Sequence, residues 1–248
     1  MPADAAAPAM IIVEDLHKAF GAQVVLAGVS FTVSRGETLC VLGRSGTGKS
    51  VLLKTIIALL DPDAGLVTVL GRNFHELSEH DRLKARKDLG YVFQGAALFD
   101  SLSVCENVGF SLYQQHRPAE EIRRRVRESL AAVGLEAAID KMPSELSGGM
   151  QKRAGLARAI IDRPQIVLYD EPTTGLDPLT TDTINQIILA LQRSHGITSI
   201  VVTHDVRSAL AIGDRIILLE KGRIVASGTP DEMRANTDPL VRRFLGLD

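Results

Sequence analysis

Several residue types and patterns are scarce in this sequence of 248 residues. It has no tryptophan, and aromatic residues make up only 4% of it. Neither of its two cysteines, Cys40 and Cys105, has a second Cys or a His at a spacing typical of metal ligands, so we expect buried, reduced thiols rather than a disulfide. The longest stretch without an acidic or basic residue, 19–34, is shorter than the ~20 apolar residues of a membrane-spanning helix.

The sequence also lacks an excess of charge of one sign. Its 28 Lys and Arg residues are balanced by 30 Asp and Glu residues, giving a net charge of −2. This balance argues against general attraction to nucleic acid or to anionic lipid. The first basic residue is Lys18, so the basic region of a secretory signal peptide is absent. We expect a cytoplasmic, soluble protein that reaches any membrane through a partner.

Strand and helix patterns alternate along most of the chain, which predicts an α/β fold. Residues 1–9, rich in Ala and Pro, predict a disordered tail. The predicted strands are 10–13, 24–26, 31–33, 38–42, 66–70, 90–93, 166–169, 199–202, 216–219 and 223–226. A helix is predicted from residue 51 to a stop at Asp61 and Pro62, and another over 181–192. Residues 98–161 are mostly helical and suggest an inserted subdomain.

A glycine-rich segment lies between the predicted strand 38–42 and the helix that follows it. It fits the pattern G-x-x-x-x-G-K-[ST], and its residues are Gly43, Arg44, Ser45, Gly46, Thr47, Gly48, Lys49 and Ser50. The glycines let backbone N–H groups and a helix N-terminus surround an anion. The Lys49 ammonium is expected to reach the β- and γ-phosphates, and the Ser50 hydroxyl to bind Mg²⁺. This segment predicts a nucleoside triphosphate site.

Two further strands end in polar residues. Asp170 and Glu171 follow the apolar strand 166–169, and His204 follows the strand 199–202. Ligands gather at the carboxyl ends of parallel strands. We expect Asp170 to hold Mg²⁺, Glu171 to polarise an attacking water, and His204 to contact a γ-phosphate.

A second glycine-containing segment lies at the start of another predicted helix. Ser147, Gly148 and Gly149 precede a run of good helix formers, and a simple N-cap is the plainer interpretation. Alternatively, this helix N-terminus binds an anion. One chain already has a phosphate loop, so a second phosphate contact favours two copies that face each other head to tail.

These segments together resemble the ATP-binding subunits of ABC transporters over residues 10 to about 228. The motifs stand in family order: the loop 43–50, Gln94, the signature 146–150, the strand 166–170, Glu171, the segment 175–177 and His204. The resemblance implies a P-loop NTPase core with an N-terminal antiparallel β subdomain, a helical subdomain at about 98–161 and a C-terminal extension at 229–248. It also implies ATP and Mg²⁺ as ligands.

The resemblance carries roles over to individual residues. Ser147, Gly148 and Gly149 would meet the ATP of the opposite subunit, and Asp177 would also belong to the nucleotide-binding residues. Gln94 would sense Mg²⁺ and the attacking water near a membrane partner. Phe20 would stack on adenine, unless it is a core residue. Met150 replaces the commoner Gln and is expected to pack, and Gly175 stands where Ser is commoner.

The signature variant with Met150 is similar to that of the Mce/Mla-type phospholipid transporters, as are residues 93–102 and 238–246. This branch implies transmembrane permease subunits, a second copy of the chain and an Mce-type substrate-binding protein at the cytoplasmic face of the inner membrane. The alternatives are an amino-acid or sugar importer and a soluble iron–sulfur assembly ATPase. In relatives such a C-terminal tail can reach the neighbouring ATPase, which suggests the same contact for the tail of this chain. The arginines at 123–125 and 127 fit a solvated helix face better than a headgroup site.

Overall fold

The computed structural model describes residues 8–247. A four-stranded antiparallel sheet begins the fold, in the order β2-β1-β4-β5. Its strands are β1 (Ala9–Phe20), β2 (Gln23–Ser34), β4 (Ala64–Val69) and β5 (Arg72–Asn73). Strand β1 includes Ala9, so the prediction that the disordered tail extends through this residue is wrong. The other predicted tail residues, except residue 8, lie outside the described residues. The predicted strands 24–26 and 31–33 are parts of one strand, β2, because the pairing with β1 resumes on both sides of a bulge at Gly28, which has φ 87°.

A six-stranded sheet forms the centre of the molecule, in the order β10-β9-β3-β8-β7-β6. Its strands are β3 (Thr38–Leu42), β6 (Leu89–Val92), β7 (Ile166–Asp170), β8 (Thr198–Thr203), β9 (Arg215–Glu220) and β10 (Arg223–Gly228). Strands β6, β7, β8, β3 and β9 are parallel, whereas β9 and β10 form an antiparallel hairpin. The parallel arrangement brings the carboxyl ends of β3, β7 and β8 to one edge.

Apolar side chains on the two faces of this sheet belong to two separate hydrophobic clusters. In β7, Ile166 and Leu168 belong to the cluster shared with the first sheet, and Val167 and Tyr169 to the cluster shared with the helical segment. Burial on both faces explains why β7 and β8 read as continuous apolar runs. The free, buried Cys40 belongs to the second cluster, as does Cys105, and the expectation of reduced thiols is confirmed.

Nine α-helices lie within residues 8–247. They are α1 (Lys49–Ile56), α2 (Glu79–Ala85), α3 (Val104–Gln114), α4 (Ala119–Ala132), α5 (Gly148–Ile160), α6 (Pro178–His195), α7 (Val206–Ile212), α8 (Pro230–Arg234) and α9 (Pro239–Leu245). The prediction that the first helix continues to Asp61 is wrong. Ala58 adopts φ 52°, and the amides of Leu59 and Leu60 both donate to the Lys54 carbonyl, which ends the helix early.

Helices α3, α4 and α5 follow β6 and precede β7 along the chain, and they pack against one another. The predicted apolar face of α4 is buried, through Ile122, Val126 and Leu130. Arginines on the same helix pair with neighbouring groups: Arg123 with Asp140, Arg124 with Glu128, and Arg125 with the Ile161 carbonyl and two more distant carboxylates, those of Glu121 and Asp162. Arg124 and Arg127 are exposed, as the predicted solvated helix face requires, whereas the side chain of Arg125 is only 16% exposed.

The last two helices pack on the chain's own sheet. Met233 of α8 and Val241 and Leu245 of α9 are buried in the cluster that contains Cys40. No helix within the described part of the chain is both long enough and apolar enough to cross a membrane.

Candidate nucleotide site

The loop between β3 and α1 is closely packed at two of its glycines. A Cβ at Gly43 would lie 2.6 Å from Thr47 Oγ1 and 2.7 Å from the Leu219 carbonyl oxygen. Gly48 has φ 97°, and a Cβ there would lie 2.8 Å from Val25 Cγ1. Only glycine satisfies both positions without rearrangement. The packing holds the loop around the N-terminus of α1, which is the geometry that suits a phosphate.

Lys49 is the first residue of α1, and its side chain turns back into the loop. Its Nζ donates to the carbonyl oxygens of Gly43 and Arg44, at 2.8 and 3.0 Å. It also lies 3.1 Å from Glu171 Oε1, and both residues are buried. A buried ion pair next to the loop therefore joins the end of β7 to the start of α1.

Ser50 and Asp170 face each other next to this ion pair. The Ser50 hydroxyl donates to Asp170 Oδ1 at 2.7 Å, and the Tyr91 hydroxyl donates to Asp170 Oδ2 at 3.1 Å. Burial, followed by the charge of Asp170 and the hydrogen bond to it, raises the pKa of Tyr91. Within residues 8–247, no cluster of three His, Cys, Asp or Glu residues has the arrangement of a metal site. A hydroxyl and a carboxylate at a phosphate loop still fit Mg²⁺, which prefers oxygen ligands and takes the remainder from phosphates and water.

Glu171 lies where the ends of β7 and β8 meet, with its backbone at φ 49°. Its amide donates to the Val202 carbonyl at 3.0 Å. Its Oε2 accepts from the Thr174 hydroxyl at 3.0 Å and lies 2.8 Å from Nδ1 of His204. A left-handed backbone at a non-glycine residue costs free energy and persists only where surrounding contacts impose it. These contacts aim the carboxylate at the loop.

A cleft of about 450 Å³ opens in front of these groups. The predicted site residues that line it are Phe20, Ser45, Gly46, Gly48, Lys49, Ser50, Gln94, Glu171 and His204. Val25, Val51 and Thr174 complete the lining. Phe20 is 49% exposed, with Lys18 Nζ 5.5 Å from its ring centroid, so the alternative of a core phenylalanine is wrong.

Arg44 and the signature residues lie away from this cleft. Arg44 is exposed and lines a separate cleft of about 300 Å³ beside α9. Ser147 caps α5, its hydroxyl accepting from the Met150 amide at 3.3 Å. Gly149 lies against α6, where a Cβ would be 2.4 Å from Thr180 Cγ2. Within one chain, the plainer interpretation of an N-cap therefore describes Ser147.

Asp177 is an exposed N-cap of α6. It accepts from the Leu179 and Thr180 amides, both at 3.0 Å, and from the Thr180 hydroxyl. The Thr180 hydroxyl is the main cause that lowers the pKa of Asp177, followed by the Thr180 amide. Met150 packs against the hydrophobic cluster of the helical segment, as predicted. The starts of α5 and α6 thus form one surface next to Thr180.

Besides Val25 and Val51 of the cleft lining, three polar residues that contact the site were not predicted to do so: Tyr91, Thr174 and Lys152. Lys152 is buried in α5, and its Nζ donates to the Gln94 carbonyl. A polar tyrosine inside an apolar strand was the one available signal for Tyr91. The contacts of Thr174 and Lys152 depend on how distant segments pack, which local patterns do not specify.

Comparison with known proteins agrees with this geometry. A family model described as ABC transporter matches residues 26–174. The chain is 41% identical over 252 residues to the chloroplastic protein TRIGALACTOSYLDIACYLGLYCEROL 3 of Arabidopsis thaliana, covering 95% of this chain and 73% of that protein. It is 40% identical over 236 residues to the probable ribonucleotide transport ATP-binding protein mkl of Mycobacterium tuberculosis (strain H37Rv), covering 95% of this chain and 66% of the relative.

Two further proteins are similar to this chain over a larger share of their own length. The Escherichia coli (strain K12) intermembrane phospholipid transport system ATP-binding protein MlaF is 38% identical over 237 residues, covering 95% of this chain and 88% of MlaF. The dimeric post-hydrolysis structure of the ATP-binding cassette MJ0796, bound to ADP and Pi, superposes with a TM-score of 0.82 at 34% identity, covering 89% of this chain and 99% of that one. The chain belongs to the ABC transporter family, as one of its ATPases.

Proposed function

We propose that this ATPase drives a phospholipid transporter of the Mce/Mla type. The supporting observation is the similarity to the E. coli phospholipid transport ATPase over 88% of its length, combined with the signature variant at Met150. The name of the mycobacterial relative points instead to ribonucleotide transport, but this chain covers only 66% of that protein. The proposed partners are transmembrane permease subunits and an Mce-type substrate-binding protein, with the ATPase at the cytoplasmic face of the inner membrane.

The loop residues bind the phosphates of ATP in this proposal. Backbone amides over Gly43–Ser50 and the Lys49 ammonium hold the β- and γ-phosphates, and Phe20 stacks on adenine. Ser50 and Asp170 would hold Mg²⁺, with Gln94 as a further oxygen donor, and the ion would supply positive charge to the phosphates. Lys49 exchanges its Glu171 partner for a phosphate when nucleotide binds.

Glu171 and His204 carry out the remaining steps. The Glu171 carboxylate polarises a water for attack on the γ-phosphorus, and the side chain of His204 hydrogen-bonds the phosphate oxygens. Their 2.8 Å separation lets each orient the other. Lys49 and the loop amides stabilise the charge that accumulates on the phosphate.

Two copies form the working unit in this proposal, facing head to tail. Ser147, Gly148, Gly149 and Asp177 lie outside the chain's own cleft, and in the dimer they complete the cleft of the partner. Residues 10–228 act as the ATPase domain, 98–161 as its helical subdomain and 229–248 as a C-terminal extension. Closure on ATP rearranges the permease, and hydrolysis reopens the dimer.

The test is to purify the tagged chain from membranes of its native host in mild detergent, and to identify co-purifying proteins and lipids by mass spectrometry. The control is the same host carrying the tag on an unrelated cytoplasmic protein. A permease, an Mce-type protein and phospholipid enriched over the control would support the proposal. A permease with a periplasmic sugar- or amino-acid-binding protein would contradict phospholipid transport. Recovery from the soluble fraction with assembly proteins would contradict transport altogether.

A further inference from the structure

Lys152 is a buried cation between two parts of the site. It is 7% exposed, its Nζ donates to the Gln94 carbonyl, and the Glu171 carbonyl oxygen lies 3.5 Å away. Burial lowers the pKa of Lys152, while the charges of Glu171 and Asp170 oppose that shift. Both of these partners of the ammonium are backbone carbonyls and not carboxylates. Burying a charged group costs free energy. The backbone contacts of Lys152 therefore need an explanation.

The same side of α5 holds the backbone that follows Gln94. Gly155 lies one turn beyond Lys152, and a Cβ there would be 3.3 Å from Cα and the carbonyl oxygen of Ala96. Arg158 follows after another turn and donates to the carbonyls of Ala96 and Ala97, each at 2.8 Å. Residues three apart share a helix face. Three successive contacts therefore fasten residues 94–97 to one face of α5.

The backbone at both ends of the Lys152 contact is unusual. Ala96 and Ala97 have φ values of 60° and 49°, and Glu171 has φ 49°. Such conformations persist only where contacts outside the segment maintain them. A cationic donor at the carbonyls of Gln94 and Glu171 is one such contact, stronger than a neutral donor would be.

We propose that Lys152 is a positioning residue that ties the signature helix α5 to the backbones of Gln94 and Glu171. Ser147 and Gly149 at the start of α5 face the partner's nucleotide in the proposed dimer. Lys152 therefore links contact with one nucleotide to the placement of Gln94 and Glu171 at the other. This inference rests on the proposed roles of Gln94 and Glu171.

The test compares Lys152→Met, which keeps the length of the side chain but loses the donor, with Lys152→Arg, which keeps the charge. Arg153→Met is the matched control: Arg153 is the next residue of α5 and also donates to backbone carbonyls, those of Val133 and Gly134, away from the cleft. For each variant we would measure kcat and KM for ATP, the Mg²⁺ concentration for half-maximal activity, ATP affinity by calorimetry, and the unfolding temperature. Glu171→Gln is assayed alongside.

We expect Lys152→Met to lose roughly tenfold to hundredfold in kcat, as misplaced reacting groups do. KM and ATP affinity should stay within about threefold, because the phosphate loop is untouched. The Mg²⁺ requirement should rise, and Lys152→Arg should recover most of the lost kcat. Arg153→Met should behave as the parent.

Parental kcat and Mg²⁺ dependence in Lys152→Met would overturn the proposal. An equal loss of kcat in Arg153→Met would also overturn it. So would a loss of kcat that follows the fall in unfolding temperature across all three variants, because either result shows a general effect on α5. Parental turnover in Glu171→Gln would instead overturn the proposed role of Glu171, which is a separate failure.

Discussion

At the scale of single residues, the Lys49–Glu171 ion pair is the main electrostatic feature of the site. Its atoms are 3.1 Å apart, and the two residues are 5% and 7% exposed. Removing one partner of such a pair leaves the other charge buried and less compensated. Glu171 keeps the Thr174 hydroxyl and His204 as neighbours, so its carboxylate retains polar contacts when Lys49 changes.

Replacing Lys49 by alanine should weaken ATP binding by roughly tenfold to hundredfold, because hydrogen bonds from a charged donor contribute about 1.5–3 kcal/mol. Calorimetric titration with Mg·ATP measures the change. Lys54→Ala is the matched control, since Lys54 is exposed on the same helix. ATP affinity within twofold of the parent in Lys49→Ala would contradict the assignment of this lysine to the phosphates.

The residue types of the site could be predicted from the sequence, because the phosphate loop and the ends of β7 and β8 are set by local pattern. The partners of those residues could not. Asp170 is oriented by Tyr91, 79 positions away, and Gln94 is held by Lys152, 58 positions away. Such contacts depend on the order of strands and on helix packing, which one sequence does not reveal.

At the scale of elements, helix ends and terminal segments differ most from expectation. Helix α1 ends at Ile56, five residues before the predicted stop, because Ala58 adopts a left-handed backbone that no residue pattern signals. Helix α9 carries the residues that suggested contact with a neighbouring subunit, yet Val241 and Leu245 are buried in this chain's own core.

Replacing Val241 by alanine should lower the free energy of unfolding by about 2 kcal/mol, through lost burial and the cavity left behind. Leu240→Ala is the matched control, since Leu240 is 44% exposed on the same helix. Urea denaturation of both variants measures the difference. Equal stability of the two would show that α9 is not packed on the core.

The same packing affects how the C-terminal extension is tested for contact with a neighbour. Truncation after Pro230 would remove Met233, Val241 and Leu245, all buried, and would destabilise the monomer. A loss of ATP-dependent dimerisation in the truncated chain would then follow either from a lost contact with the neighbour or from a destabilised monomer. Replacing an exposed residue such as Leu240 distinguishes the two causes, because it leaves the core intact.

At the scale of the whole molecule, the proposed dimer requires each chain to present two halves of a nucleotide site at different places. The cleft contains Lys49 and Glu171, whereas Ser147 is exposed at the start of α5 and lines a different surface. A head-to-tail pair with two-fold symmetry joins each half to its complement. The similar cassette MJ0796, bound to ADP and Pi, forms a dimer.

Glu171→Gln should therefore bind Mg·ATP, hydrolyse it far more slowly than the parent, and accumulate as a dimer. Light scattering on the size-exclusion column, with and without ATP, measures the mass. Adding Ser147→Arg to Glu171→Gln should return the protein to a monomer, because a bulky cation at this exposed position blocks the partner's phosphate. A dimer that persists in the double variant would exclude the signature surface as the interface.

Strand β7 connects the acidic residues of the site to the hydrophobic core, and this connection restricts which mutations the strand tolerates. Its side chains alternate between two apolar clusters, and its last residue is Asp170. Inserting or deleting one residue in this strand would send the side chains after the change to the opposite face and move both acidic groups by one position. Exchanges in β7 that keep the fold should therefore be between apolar side chains of similar volume, because the packing of this strand fixes where Asp170 and Glu171 lie.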